Sequence, residues 1–302
     1  MQAITYSRVT DIKFDLDVPS NVTGALPAVV YIHGGGLVAG SRDEPGSAGV
    51  ASFVRRFALA RGYLFISTDY RLIWPSTGLD LIDDMKTLFA FIAKARIYAR
   101  PKPIALVSIF GAGGAMLSDF WVTPKGADMH MPFPVPRIPS GPPPAPLAGA
   151  AIKIRANGAI TDDEGRVNLL FYGGARARWS TTSLARGSLS HSARCLSPSA
   201  PASAILEAHV DESFPPTYFV HGEKDGIVLP EESRATHTRL REIGIRTELE
   251  IIPDGTHGLM AKTVPPTLTP DAQEAYERGS SWRTRYAATQ HKRPPLGVII
   301  VQ

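Results

Sequence analysis

Apolar and polar residues alternate along residues 3–18, which predicts one or two antiparallel strands closed by Pro19 and the Ser20-Asn21 turn signal. Three later runs, AVVYIH at 28–33, YLFISTDY at 63–70 and IALVSIF at 104–110, are largely apolar, as expected of strands buried on both faces. Between the first two, Val50, Phe53, Val54, Phe57 and Ala58 recur at helical spacing until Gly62 ends the helix. Between the second and third, Leu81, Met85, Leu88, Phe89 and Ile92 mark a longer helix over 80–99, stopped before Pro101. Strand, helix, strand, helix, strand is the order of a parallel sheet with right-handed crossovers.

The third apolar run breaks into glycines and resumes as a predicted helix, so residues 104–118 read as strand, sharp turn, helix. Further on, the pattern predicts a strand at 217–221, a charged helix at 231–243 ended by Gly244, an alternating strand at 247–252 and a last helix at 270–290. The terminal LGVIIVQ is unexpectedly apolar for a tail. It is expected to add an edge strand or to cover a partner's surface, as in a homodimer.

From residue 122 to 213 the periodicity dissolves. Eight of the fifteen residues from Pro132 to Pro146 are proline, which forbids helix and sheet interior and favours extended chain. Gly, Ser, Ala and Arg clusters follow. The expected organisation is a core of residues 1–121 and 214–302 with a cap over 122–213, because long loops in compact domains usually serve as lids.

Composition narrows the picture further. A chain of 302 residues, 44% hydrophobic, is long enough for one sizeable core. The formal charge of +4 arises from 32 basic and 28 acidic residues, too small an excess to imply a nucleic-acid partner. Cys195 is the single cysteine, so no intrachain disulfide forms. No run approaches the roughly 20 apolar residues of a membrane span. The alternating N-terminal segment is a strand pattern and not a signal peptide, and a cytoplasmic protein is expected.

The candidate chemistry lies in the loops after the apolar strands. His33 leads into Gly34, Gly35 and Gly36, and consecutive glycines let backbone N–H groups approach a ligand oxygen with no side chain between, as an oxyanion hole requires. Asp225 lies in the turn after the strand at 217–221, and His257 in the loop after the strand at 247–252. His130, His191, His209, His221, His237 and His291 show no metal spacing and receive no chemistry. No phosphate loop, dinucleotide fingerprint or metal cluster is present, and no cofactor is expected.

Five motifs in order, His33-Gly34-Gly35-Gly36, Asp69-Tyr70-Arg71-Leu72, the 111–115 turn, HGEKDGIV at 221–228 and DGTHG at 254–258, make the chain resemble the hormone-sensitive-lipase-like, carboxylesterase branch of the α/β-hydrolases. The resemblance spans residues 28–258 and implies a mostly parallel sheet flanked by helices, with a cap insertion. It also implies an Asp225–His257 acid–base pair and an oxyanion hole built from Gly35, Gly36 and Gly114. His33 and the aromatics Trp121, Phe171 and Tyr172 are expected beside the substrate.

The chain departs from the family at the nucleophile elbow G-x-S-x-G, where Gly111, Ala112, Gly113, Gly114 and Ala115 place glycine at the serine position. No serine occurs between residues 109 and 117 to replace it. Three functions follow. The first is an enzyme that applies the Asp–His base and the glycine hole to a small carbonyl compound, ester or lactone without a covalent step, as a lyase, isomerase, cyclase or catalyst of direct water attack. The second is a silent pseudo-hydrolase that binds a small ligand. The third is a serine carboxylesterase or lipase-like hydrolase whose nucleophile has been replaced by Gly113.

Overall fold

In the computed structural model, the described residues are 2–8, 11–20, 26–43, 50–73, 75–94, 103–116, 118, 120, 147–154, 160–161, 166, 206–261, 267–290 and 298–301. They form an eight-stranded sheet with helices on both faces. Its strands are β1 (Gln2–Ser7), β2 (Ile12–Asp17), β3 (Ala28–Ile32), β4 (Leu64–Thr68), β5 (Ala105–Ile109), β8 (Thr217–Gly222), β9 (Thr247–Ile252) and β12 (Val298–Val301). Two short hairpins, β6 (Lys153–Ile154) with β7 (Ile160–Thr161) and β10 (Met260–Ala261) with β11 (Thr267–Leu268), stand apart from it. The spatial order is β1-β2-β4-β3-β12-β5-β8-β9. β1 and β2 join antiparallel at one end, and every pairing from β4 onward is parallel.

Strand periodicity decides which helix covers which residues. Val29 and Tyr31 of β3 point to one face, where they pack with Val107 and Ile109 of β5 and Val220 of β8. Helices α1 (Val50–Ala60) and α4 (Pro270–Gln290) cover that face with Val50, Val54, Ala58, Ala272, Tyr276 and Trp282. Ala28 and Val30 point the other way and meet Leu88 and Ile92 of helix α2 (Gly78–Lys94). Thr77 and Asp80 cap α2 reciprocally, Asp80 N–H donating to the Thr77 hydroxyl at 3.2 Å and Thr77 N–H to the Asp80 carboxylate at 2.7 Å. Helix α3 (Pro230–Glu242) packs Leu240 on Phe219 and Val210.

The expected strands and the helices expected at 50–61, 80–99, 231–243 and 270–290 are present with shifted ends, whereas residues 114–116, expected to open a helix after the glycines, bend and turn instead. The tail is a correction. β12 lies in the middle of the sheet, between β3 and β5, and neither extends an edge nor covers a partner. An unbroken Val-Ile-Ile-Val run does not alternate, so a place between two strands suits it better than an edge. The glycines at 111–116 form a turn and bend.

Most of the expected cap falls outside the described residues. Of the described parts, residues 147–150 and Arg166 lie against the loops after β3 and β4, while Leu206, Glu207 and Val210 lie against the turn after β5 and against β8. Gly40 and Ala150 pair through both backbone groups at 2.7 Å, and Leu72 N–H donates to Leu147 C=O at 2.8 Å. Arg166, fully buried, donates to the carbonyls of Val38 and Ile73.

Candidate functional site

Asp225 and His257 meet because two loops approach at glycines. Gly222 ends β8 against Gly255, and a Cβ on Gly222 would lie 2.6 Å from the Gly255 carbonyl carbon. Lys224 N–H donates to Gly255 C=O at 2.8 Å, and Glu223 N–H to Ile252 C=O at 3.0 Å. These bonds tie the turn holding Asp225 to the loop holding His257.

His257 Nδ1–H donates to Asp225 Oδ2 at 2.8 Å. The other carboxylate oxygen accepts the N–H groups of Ile227 and Val228 at 2.9 and 3.0 Å. His221 presents Nε2 to the same carboxylate at 3.4 Å, while meeting the Val228 carbonyl at 2.9 Å and the Ser233 hydroxyl at 2.8 Å. Burial alone would push the Asp225 carboxyl up. The bonds from His221 and His257, the His257 charge and the Val228 N–H outweigh it and hold the carboxyl well below its ordinary range. The carboxylate thus favours the Nδ1–H tautomer of His257, which leaves the lone pair on Nε2. The His257 side chain is about one-third exposed, at 32%, so solvent reaches it.

Phe110, the first residue after β5, has a φ of 40° and sets its ring edge-on to His257 with centroids 4.8 Å apart. Its N–H donates to Val220 C=O at 2.8 Å. The residue that β5 delivers to the imidazole therefore carries neither hydroxyl nor thiol.

The glycine turn faces elsewhere. The N–H groups of Gly113, Gly114 and Ala115 all donate to one carboxylate oxygen of Glu232, at 2.8, 2.8 and 2.9 Å, and Met116 N–H donates to Glu207 at 2.6 Å. Glu232 lies on α3 and is 2% exposed. The expectation that Gly114 supplies an oxyanion donor is corrected here, because its N–H is already bonded to a buried anion. Gly113, with φ of 135°, would bring a Cβ to 2.6 Å from Leu206 Cδ2.

Gly35 and Gly36 have φ values of 97° and 58°, and Gly35 C=O accepts from Val38 and Ala39, closing the turn after β3. β12 stands between β3 and β5 in the sheet, so the loop with Gly35 and Gly36 and the turn with Gly113 and Gly114 follow strands that are not neighbours. His33 lies beneath the loop, 1% exposed, stacked on Tyr70 at 4.3 Å, with Nδ1 2.8 Å from Gly34 C=O. Burial pushes its imidazole down to about 4. It is a packing residue under the loop and does not line an open site. Trp121, Phe171 and Tyr172 lie outside the described residues.

Sequence reading missed Phe110, His221 and Glu232. The strand end marks Phe110, and the HGEKD spacing gives His221 the i, i+4 relation to Asp225. Nothing local to the α3 sequence singles out Glu232. Among the described residues, no group of three His, Cys, Asp or Glu side chains is placed to hold a metal ion, and no helix is long and apolar enough to cross a membrane.

Comparison with known proteins agrees with this architecture. The BD-FAE family model matches residues 14–122. A probable carboxylesterase M8 of Phoma sp. is 27% identical over 128 residues, 37% of this chain, and the chain spans only 39% of that relative's length. A thermophilic esterase from the planctomycete Thermogutta terrifontis, solved with propionate bound, superposes with a TM-score of 0.56 at 18% identity, covering 98% of this chain and 96% of the esterase. A Staphylococcus aureus protein of unknown function gives a TM-score of 0.62 at 14% identity, covering 93% and 97%. The parallel sheet, its flanking helices and these likenesses together establish that the chain has the α/β-hydrolase fold.

Proposed function

We propose that this protein is an α/β-hydrolase-fold enzyme in which the Asp225–His257 pair acts as base and acid on a small ester, lactone or other carbonyl compound without an acyl-enzyme step. The observation that carries this reading is the Nδ1–H···Oδ2 bond of 2.8 Å, with the carboxylate further held by two backbone N–H groups and His221. That arrangement orients an imidazole, stabilises its cation and presents Nε2 to a water or an acidic C–H. The glycines at 34–36 are the candidate donors to the developing oxyanion, and the names of the relatives, a carboxylesterase and an esterase, favour a carbonyl substrate. No acyl-enzyme is invoked, because Phe110 is the residue set against the imidazole.

The test is turnover of p-nitrophenyl acetate and of a simple δ-lactone by the unsubstituted chain, His257→Ala and Asp225→Asn. Loss of roughly 10²–10⁴-fold in both variants is expected from removing a general base or its orienting partner. Turnover unchanged in His257→Ala overturns the reading.

A second reading, a silent ligand-binding protein, is favoured by Phe110 packing on the imidazole and by the Glu232 carboxylate taking three N–H groups of the glycine turn. Ligand binding without product, unaltered in His257→Ala, selects it over the first.

A further inference from the structure

The glycine loop offers donors at one end and is anchored at the other. Among the described residues the N–H groups of Gly35, Gly36 and Leu37 meet no acceptor, and Gly36 and Leu37 are exposed. Val38 and Ala39, next in the chain, are buried. Gly35, Gly36 and Leu37 have φ values of 97°, 58° and 65° in succession. The last of these strains a residue with a Cβ, so the conformation persists only where its surroundings fix it.

The bonds that fix it form a ring. Val38 N–H and Ala39 N–H both donate to Gly35 C=O, at 3.2 and 3.1 Å. Leu37 C=O accepts from Ile73 N–H at 2.8 Å, and Val38 C=O accepts from Arg166 Nε. Arg166 Nη2 donates to the C=O of the same Ile73. The peptide units Leu37–Val38 and Val38–Ala39 are thereby bonded at N–H and C=O alike. One guanidinium, 1% exposed and 128 residues from Val38 in sequence, closes the ring between the loop after β3 and the segment after β4. A planar fork of donors suits two carbonyls at once, whereas a lysine ammonium is a point charge.

We infer that Arg166 is a positioning residue for the glycine loop: through Val38 and Ile73 it sets the direction in which the N–H groups of Gly35, Gly36 and Leu37 point, and so where they meet a developing oxyanion. The catalytic half of this inference rests on the function proposed above, and the holding of the loop does not. Donors of this kind act only when they stand about 3 Å from the place the charge will occupy. A displacement of about 1 Å costs on the order of 10²-fold in rate. Arg166 belongs to the segment 122–213, which pairs with the far end of the same loop at Gly40 and Ala150, so the seating of that segment and the aim of the donors are coupled.

The experiment compares the full unsubstituted chain with Arg166→Met, which fills the space without a donor, and Arg166→Lys, which keeps the charge without the fork. Hydrogen exchange is followed at the amides of Val38, Ala39 and Ile73, with residues 218–220 as reference, and kcat and KM are measured for p-nitrophenyl acetate. In both variants exchange at the three amides is expected to rise at least about tenfold while 218–220 holds. Turnover is expected to fall roughly 10–100-fold in kcat at nearly constant KM, as when an interaction made in the transition state is lost. Unchanged exchange at the three amides, or kcat unchanged where exchange has risen, overturns the inference. So does Arg166→Lys matching the unsubstituted chain, because charge and not the fork would then suffice. Should Arg166→Met unfold throughout, Arg166→Lys decides alone, and exchange rising at 218–220 as much as at the three amides in both variants shows that Arg166 holds the whole fold and overturns it too. A chain without His257-dependent turnover fails the proposed function instead, and exchange at Val38, Ala39 and Ile73 then decides whether Arg166 holds the loop.

Discussion

Glu232 holds the N–H of Gly113, 119 residues away along the chain, at 2.8 Å, and the same oxygen takes the N–H groups of the next two residues. A buried carboxylate thereby replaces solvent for a turn whose own backbone offers no acceptor. The pairing is mutual, since one buried and two partly buried N–H groups need an acceptor and the buried carboxylate needs donors.

Removing the carboxylate takes the acceptor from one buried and two partly buried N–H groups. Glu232→Ala is expected to destabilise the fold by roughly 3 kcal/mol or more, and Glu232→Gln, which keeps one acceptor oxygen, by clearly less. Urea denaturation of the two variants side by side checks the order; equal losses would mean that side-chain volume and not the acceptor matters.

Gly113→Ser tests the idea that the glycine turn is a hydrolase elbow short of a hydroxyl. Its φ of 135° is unfavourable for any side chain, and a Cβ meets Leu206 at 2.6 Å. We expect a stability loss of about 1–3 kcal/mol and no gain in His257-dependent hydrolysis of p-nitrophenyl acetate. A tenfold gain abolished by His257→Ala would place the nucleophile seat at Gly113 after all.

The pH dependence of stability has two opposed contributions. Burial lowers His33 to about 4, so between pH 4 and about 6.5 the unfolded chain binds a proton that the folded chain refuses. Its contribution is present above about pH 6.5 and is lost as pH falls through 4. Burial raises Asp69 to about 6 against the opposing Arg42 contacts, so the folded chain keeps a proton there and stability falls as pH rises from about 4 to 6. His33→Gln removes the first contribution and leaves the second. Unfolding midpoints at pH 4.5 and 6.5 should differ less favourably toward pH 6.5 in the variant, by a free energy on the order of 3 kcal/mol at most. An unchanged difference would contradict it.

Arg71 anchors the segment after β4 to α2. Its guanidinium donates to Asp84, which is 4% exposed, through Nε at 3.0 Å and lies 2.8 Å from it through Nη2, while Nη1 meets Asp80 at 2.9 Å. Lysine cannot reproduce this fork. Arg71→Lys is expected to cost about 2–4 kcal/mol, and Asp84→Asn a comparable amount, with the double variant well short of the sum in a double-mutant cycle.

The order of β1 to β5, β8 and β9 with α1, α2 and α3 was legible because each of these elements states its own period, while β6 and β7 were not foreseen. Alternation marks residues 3–18, and helical spacing marks Val50 to Ala58 and Leu81 to Ile92. The encounter of Asp225 with His257 was legible only through the likeness to a family, since neither the GEKD turn nor the DGTHG loop says by itself what the other approaches. Trp121, Phe171 and Tyr172 lie outside the described residues and remain expectations.

What the sequence by itself determined is local: which segments are strands, which helices have an apolar stripe, and that a hydroxyl is missing from the glycine turn. Which strand lies beside which was decided only in the tertiary structure, because pairing depends on edges built by segments hundreds of residues apart and leaves no mark within either. Hence VIIV read as an edge or a partner's cover, and the sheet takes it into its centre, where both its edges are paired. The same physics turned Gly114 from an oxyanion donor into a ligand of Glu232: a backbone N–H is satisfied by whichever acceptor the fold brings to it, and that acceptor lay on a helix 118 residues away.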